Sequence, residues 1–274
     1  MNTQRLDLYI GTLNNENTKQ SYRKDIECML AFVNKTEEDV TLADLLEWKM
    51  DMQKRGNSTA TMARRIGSVK RYFDFLVDID VIIKDPSKKL KAPKVVNKVE
   101  TTLTADDIHK MLACTNNKRD KAIIATLAST GMRISELINI KMDDIDGDDI
   151  HIVGKGSKRR VVHINEKTRE YIHDYLANRK FDSDKLFASN SDTPMLPNNI
   201  NRTLKRLANE AGLDKNVHNH SFRHLWATSM LDHGVPIDRI QVCMGHSDIS
   251  VTRRYAETRN KREVIRETMN IEVF

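Results

Sequence analysis

Five apolar residues, Met62, Ile66, Val69, Phe73 and Leu76, recur at steps of four, three, four and three, the spacing that stacks side chains on one face of an α-helix. Such a stripe needs an apolar partner, and the neighbouring sequence offers one. Tyr22, Ile26, Met29, Leu30 and Val33 repeat the helical period from Asn17 onward, and Leu42 to Met52 reads as a further helix. Ser58 and Thr59 are placed to cap the helix that carries the stripe. Helical spacing returns after Thr104, a second cap, over Ile108–Leu112, Ile123–Leu127 and Ile134–Ile140, and again over about Glu166–Asn178, Asn198–Ala211, Ser221–Asp232, Pro236–Met244 and from Ser250 on. One β element intervenes. Asp149–Val153 and Arg159–Ile164 are rich in β-branched residues and flank Gly154-Lys155-Gly156-Ser157-Lys158, which reads as a hairpin turn. The expected fold is mainly α: an N-terminal helical bundle over 1–84, a basic linker over 85–103, and a larger, mostly helical domain with a small antiparallel sheet over 104–274.

Charge narrows the partners. The 274 residues carry 45 Lys and Arg against 39 Asp and Glu, a net charge of +6. That excess permits nucleic acid as a partner without requiring it, so its placement matters more than its size. Met52 to Phe73 holds six basic residues, Lys54, Arg55, Arg64, Arg65, Lys70 and Arg71, and no acidic one. Lys84 to Lys98 holds six Lys, among them Lys91 and Lys94, with Pro86 and Pro93 interrupting any helix. A solvated surface explains either stretch; a phosphate-binding face explains both. Cys28, Cys114 and Cys243 are odd in number and far apart, the usage of a reduced, cytoplasmic protein with no zinc site. Met1 to Asn17 lacks the pattern of a secretory signal, and no run approaches the roughly 18 apolar residues of a membrane helix. A cytoplasmic location with no membrane partner is therefore expected.

The second domain holds an ordered series of unusual polar residues. Arg133 opens an apolar helix after Thr130-Gly131-Met132, with Glu136 one turn on. Lys155 sits at the hairpin tip, His220 and Arg223 lie three apart, His246 follows Gly245, and Tyr255 ends Thr252-Arg253-Arg254. Each alone has an ordinary explanation as an ion pair, a solvated turn or a half-buried ring. In that order they resemble the tyrosine recombinase family, the phage integrases and Xer-type enzymes. The resemblance spans nearly the whole chain. Asn17 to Asp25 resembles the opening of the family's N-terminal core-binding domain, Asp85 to Lys94 its linker, and Thr130 to Leu137 its first catalytic box; His220–Thr228 and Gly245–Tyr255 match most strongly. On length, no additional arm-site-binding domain like that of larger phage integrases is expected.

Phosphodiester chemistry explains the set. In-line attack spreads negative charge over the non-bridging oxygens, and two permanently charged guanidiniums, Arg133 and Arg223, suit that charge. A phenol ionises near pH 10, so Tyr255 as nucleophile needs a base or a strongly positive site. His220 is the candidate base, Lys155 the proton donor to the leaving 5′ oxygen, and His246 a phosphate or nucleophile contact. Glu136 would orient Arg133. The family's Gly-Lys-Gly-x-Lys pattern selects Lys155, leaving Lys158 and Arg159 as backbone-phosphate contacts. No metal or other cofactor is called for. His218-Asn219-His220 suggests an HNH nuclease only until the further metal ligands are sought. His218 and His224 are read as structural, and two departures from the family, His163 for Pro and Trp226 for Phe, concern packing alone.

The resemblance thus implies a site-specific DNA recombinase that cuts and rejoins strands through a 3′-phosphotyrosyl link and a Holliday junction. Its DNA partners would be two recombination sites held by a tetramer. The last residues, Ile271, Val273 and Phe274, would plug a neighbouring protomer. Two rivals remain at the level of sequence: a catalytically silent DNA-binding regulator of recombinase descent, and a DNA-relaxing enzyme like a type IB topoisomerase.

Overall fold

A computed structural model describes residues 3–95, 103–154, 159–189, 195–245 and 252. It divides into two compact units, Met1–Lys98 and Val99–Phe274, each with its own apolar core. Among the described residues no helix is long and apolar enough to cross a membrane.

The N-terminal unit consists of α1 (Thr3–Thr12), α2 (Glu16–Val33), α3 (Leu42–Lys54) and α4 (Thr59–Asp78). Its helices start where side chains satisfy the first free N–H groups. Asn15 Oδ1 accepts from the Thr18 N–H at 3.1 Å, and Ser58 Oγ accepts from the Thr61 N–H at 3.2 Å. Thr41 and Asp44 close a reciprocal capping box before α3. The stripe on α4 is no more than 2% exposed at any of its five residues, and it faces Ile26 and Met29 of α2 and Leu45 and Trp48 of α3. Burial of each such side chain contributes roughly 1.5–3 kcal/mol. Truncating the fully buried Phe73 to Ala would cost about 3–5 kcal/mol. α1 lies outside the helices expected from sequence; Leu6, Tyr9 and Ile10 bury one face of it against this core.

The segment expected as linker begins as part of this unit. Ser87 is fully buried, Leu90 joins the core, and Asp85 accepts from the Ser87 N–H and Oγ–H at 2.6 Å each. Lys70 Nζ donates to the carbonyls of Lys88 and Leu90, both at 3.2 Å, and Lys49 Nζ donates to the Lys91 carbonyl at 2.8 Å. Two lysines therefore clamp the backbone of a segment that composition alone presents as solvated.

The larger unit is built around α6 (Lys118–Thr130), preceded by α5 (Ala105–Ala113), whose Thr104–Asp107 capping box uses the expected cap. Ala122, Ile123, Ile124, Ala125 and Leu127 leave α6 buried on all sides, as a central helix must be. Its hydroxyls turn inward on the helix itself: Thr126 Oγ1 donates to the Ala122 carbonyl at 2.8 Å, and Thr130 Oγ1 to the Thr126 carbonyl at 2.6 Å. Next come α7 (Ile134–Leu137), β1 (Ile145–Asp146), β2 (Asp149–Val153), β3 (Arg159–His163) and α8 (Glu166–Asn178). Then α9 (Pro197–Glu210), α10 (Asn219–Asp232) and α11 (Ile237–Met244) complete the described elements. The apolar run Ile134–Ile140 gives only one helical turn, because the Ile140 carbonyl leaves the helix to accept from the Leu186 N–H at 2.9 Å. The sheet is antiparallel in the order β1-β2-β3, with β2 and β3 in register from Asp149 opposite His163 to Val153 opposite Arg159. Ile150, Ile152 and Val162 point into the core. β1 was not foreseen; two residues are too few to show a period.

Candidate active site

Three separate stretches of the larger unit meet at the C-terminal end of α11. The first follows α6, where Gly131 ends the helix in the left-handed region at φ 58°. A Cβ on Gly131 would lie 2.9 Å from Trp226 Cγ, so both the backbone and the packing require glycine here. Trp226, the departure from the commoner Phe, therefore sits directly on the turn that leads to Arg133.

Arg133 then caps α7. Its backbone N–H donates to Glu136 Oε2 at 2.7 Å and its Nη1 to Glu136 Oε1 at 3.1 Å. The same guanidinium reaches the carbonyls of Met244 at 3.4 Å and Gly245 at 3.3 Å. Arg223 arrives from the second stretch, α10, and is only 2% exposed. It donates through Nη1 to the Gly131 carbonyl at 2.7 Å and through Nη2 to the Met244 carbonyl at 2.6 Å. One carbonyl thus accepts from both arginines and draws their guanidiniums together. That carbonyl belongs to the negative end of a helix dipole, which favours cations. α11 is held there by its own apolar contacts, with Ile240 and Met244 packed on Ala227 and Trp226 of α10.

The third stretch is β3. Arg160 donates through Nη1 to Glu136 Oε1 at 2.8 Å and through Nη2 to Oε2 at 2.9 Å, the paired geometry in which guanidinium and carboxylate bind best. Burial pushes the Glu136 carboxyl up; the Arg160 fork, the Arg133 N–H and the charges of both arginines outweigh it, and the carboxyl sits below its ordinary range. Arg133 and Arg160 bond the one carboxylate and Arg223 joins them through the Met244 carbonyl, so among these four side chains positive charge exceeds negative by two. Arg133 keeps 28% of its side chain exposed, so an anion can approach this excess from solvent. Such a site is suited to holding a phosphodiester while charge builds on its oxygens.

The remaining candidates fall in two groups. His220 is exposed in the first turn of α10, one turn before the buried Arg223. Its neighbour His218 precedes the helix, with Nδ1 2.6 Å from Ser221 Oγ, and His163 lies 2.9 Å from Asp149 Oδ1 across the sheet. Lys155, Lys158, His246 and Tyr255 lie outside the described residues, as does the tail. The sequence reading singled out Arg133, Glu136 and Arg223 but gave Arg160 no part in the site; its only signal was its place in a basic strand.

Five of the six basic residues between Met52 and Phe73 are engaged within the unit. Arg64 donates to Asp25, which is 2% exposed and also accepts from Ser68 Oγ at 3.0 Å. Arg65 Nε stands 3.7 Å from the same carboxylate, and Arg55 Nε 2.7 Å from Asp51. Arg71 bonds the Tyr22 hydroxyl and lies over its ring, and Lys70 clamps the carbonyls of 88 and 90. Lys54, Lys91, Lys94 and, on β3, Arg159 are exposed.

The chain as a whole is similar to known proteins. Residues 101–262 match the Phage integrase family, and residues 7–79 match its N-terminal SAM-like domain. The chain is 29% identical over 266 residues to the tyrosine recombinase XerD of Oceanobacillus iheyensis, covering 90% of this chain and 89% of that one. It is 33% identical over 242 residues to the tyrosine recombinase XerA of Pyrococcus horikoshii, covering 85% and 82%. Among solved structures, that of a XerA recombinase aligns at TM-score 0.57 with 29% identity over 99% of this chain and 98% of that one. A lambda integrase dimer bound to a COC′ core site shares the fold at TM-score 0.80 and 17% identity, over 94% and 96%.

Proposed function

This chain belongs to the phage integrase family and is a tyrosine recombinase, and from that premise we propose how its residues divide the work of site-specific DNA recombination. Tyr255 attacks a phosphodiester of duplex DNA; its Oη–P bond forms as the bond from phosphorus to the 5′ oxygen breaks. The phenolic proton passes to His220, and the leaving 5′ oxygen takes a proton from Lys155. Arg133 and Arg223 hold the non-bridging oxygens as charge builds on them, and His246 bonds the phosphate or steadies the nucleophile. The resulting 3′-phosphotyrosyl link conserves the bond energy, so rejoining through a Holliday junction needs no nucleotide.

The observation that carries this reading is the Met244 carbonyl shared by Arg133 and Arg223, which gathers two fixed positive charges from stretches far apart in the chain. The N-terminal unit and the lysines after it are assigned to backbone phosphates, and the tail to a neighbouring protomer in a tetramer on two sites. The three free cysteines accord with a reducing, cytoplasmic setting.

The test is trapping on a nicked duplex built on the sequence that the protein itself selects from a randomised DNA pool. Wild-type protein is expected to form a covalent adduct, and Tyr255→Phe none. An adduct formed by Tyr255→Phe would remove Tyr255 as the nucleophile.

A further inference from the structure

Arg160 stands outside the roles just assigned, yet it is held from two sides. Its two terminal nitrogens are both committed to Glu136, and 14% of the side chain is exposed. It also rests on the backbone of Gly245: a Cβ built there would lie 3.0 Å from Arg160 Nη1, with Gly245 itself at φ 62°. The Gly245 carbonyl in turn accepts from Arg133. One side chain from β3 therefore touches the carboxylate that bonds Arg133 and the residue that ends α11.

An ion pair alone does not explain this choice. The Arg160 Nε–H is buried and has no partner among the described residues, a cost that a lysine ammonium at the same place would avoid. What lysine lacks is the planar fork that fixes the angle of a carboxylate. Resting on the proposed function, we propose that Arg160 is a positioning residue: its fork sets the orientation of Glu136 and the place of Gly245, and through both it aims Arg133 while tying the strand that follows the Lys155 hairpin to the cleavage centre.

The experiment compares wild type, Arg160→Met and Arg160→Lys in single-turnover cleavage of the same nicked duplex across pH 5.5 to 8.5, with DNA affinity and thermal melting measured in parallel. Loss of a residue that orients a charged group from behind lowers cleavage by about 10–100-fold, and here DNA affinity is expected to hold within about twofold. The pH profile separates positioning from mere structure. The charged groups facing Glu136 among the described residues are Arg133 on its own turn and Arg160 from β3. In Arg160→Met the buried carboxyl takes up a proton at higher pH than in wild type, so the ratio of wild-type to variant rate grows as pH falls. Any pH dependence common to both proteins cancels in that ratio. Arg160→Lys keeps the charge and loses the fork; its rate is expected to fall with a ratio that stays flat, and it serves as the second reading if Arg160→Met does not fold. Cleavage by either folded variant within twofold of wild type at every pH overturns the inference. So does a fall uniform in pH that tracks lost affinity and melting temperature. Failure of wild type to form any adduct overturns the proposed function instead, and the inference with it.

Discussion

The basic face of α4 and the arginine cluster at the end of α11 hold similar residues to different ends. On α4 the cations are matched locally. Arg64 and Arg65 share Asp25, Arg71 lies against Tyr22, and Lys70 is spread over two carbonyls. At the end of α11, three guanidiniums share one carboxylate and three carbonyls, those of Gly131, Met244 and Gly245. The first arrangement consumes charge to hold helices together. The second concentrates it where one edge is open to an anion. A run of basic residues in a sequence does not distinguish these uses; the carboxylates and carbonyls that the fold brings to it do.

Arg223→Lys tests the second arrangement most severely. It keeps the charge but cannot span the Gly131 and Met244 carbonyls, and single-turnover cleavage is expected to fall by about 10²–10³; a fall below tenfold would mean that charge alone suffices. Asp25→Asn tests the first. Leaving two arginines without their carboxylate should lower stability by about 2 kcal/mol in denaturant unfolding while leaving cleavage per folded molecule near wild type.

Asp120 extends the comparison to a buried carboxylate whose pKa moves the other way from that of Glu136. Burial pushes its carboxyl up against the opposing charges of Arg119 and Arg206, the latter 3.6 Å away. A folded-state pKa raised above the unfolded value means that ionised Asp120 opposes folding at neutral pH, and that this penalty is relieved as pH falls through the folded value. Asp120→Asn should therefore match or exceed wild-type stability at pH 7, by up to about 1 kcal/mol, and the difference should shrink in acid. The mildest test is Lys70→Met. Freeing the backbone at 88 and 90 should cost about 0.5–1 kcal/mol and change the salt slope of DNA binding by no more than about one unit.

What the sequence made readable follows the range of the interactions. Ser58 and Thr104 act on N–H groups three residues away, and both caps stand where their residue types place them. The bounds of α8 and the β2–β3 pairing likewise follow from local period. Arg133 and Glu136 share a turn, so their pairing too was within reach. The Arg133 bond to Met244 spans 111 residues, and the Lys49 bond to Lys91 spans 42; neither leaves a periodic trace. The fork of Arg160 on Glu136, 24 residues apart, hid within a strand whose charge invited a solvent-facing reading. α1 is the opposite case, since Leu6, Tyr9 and Ile10 stand at local helical spacing.

Anchoring Gly245 between two arginines also sets an upper limit on how far the chain after it can reach. Tyr255 follows ten residues later, and at roughly 3.3–3.6 Å per residue its backbone can travel no more than about 35 Å from that anchor. The span is ample for the arginines of the same protomer. Under the proposed function, that limit bounds which arginines Tyr255 can serve.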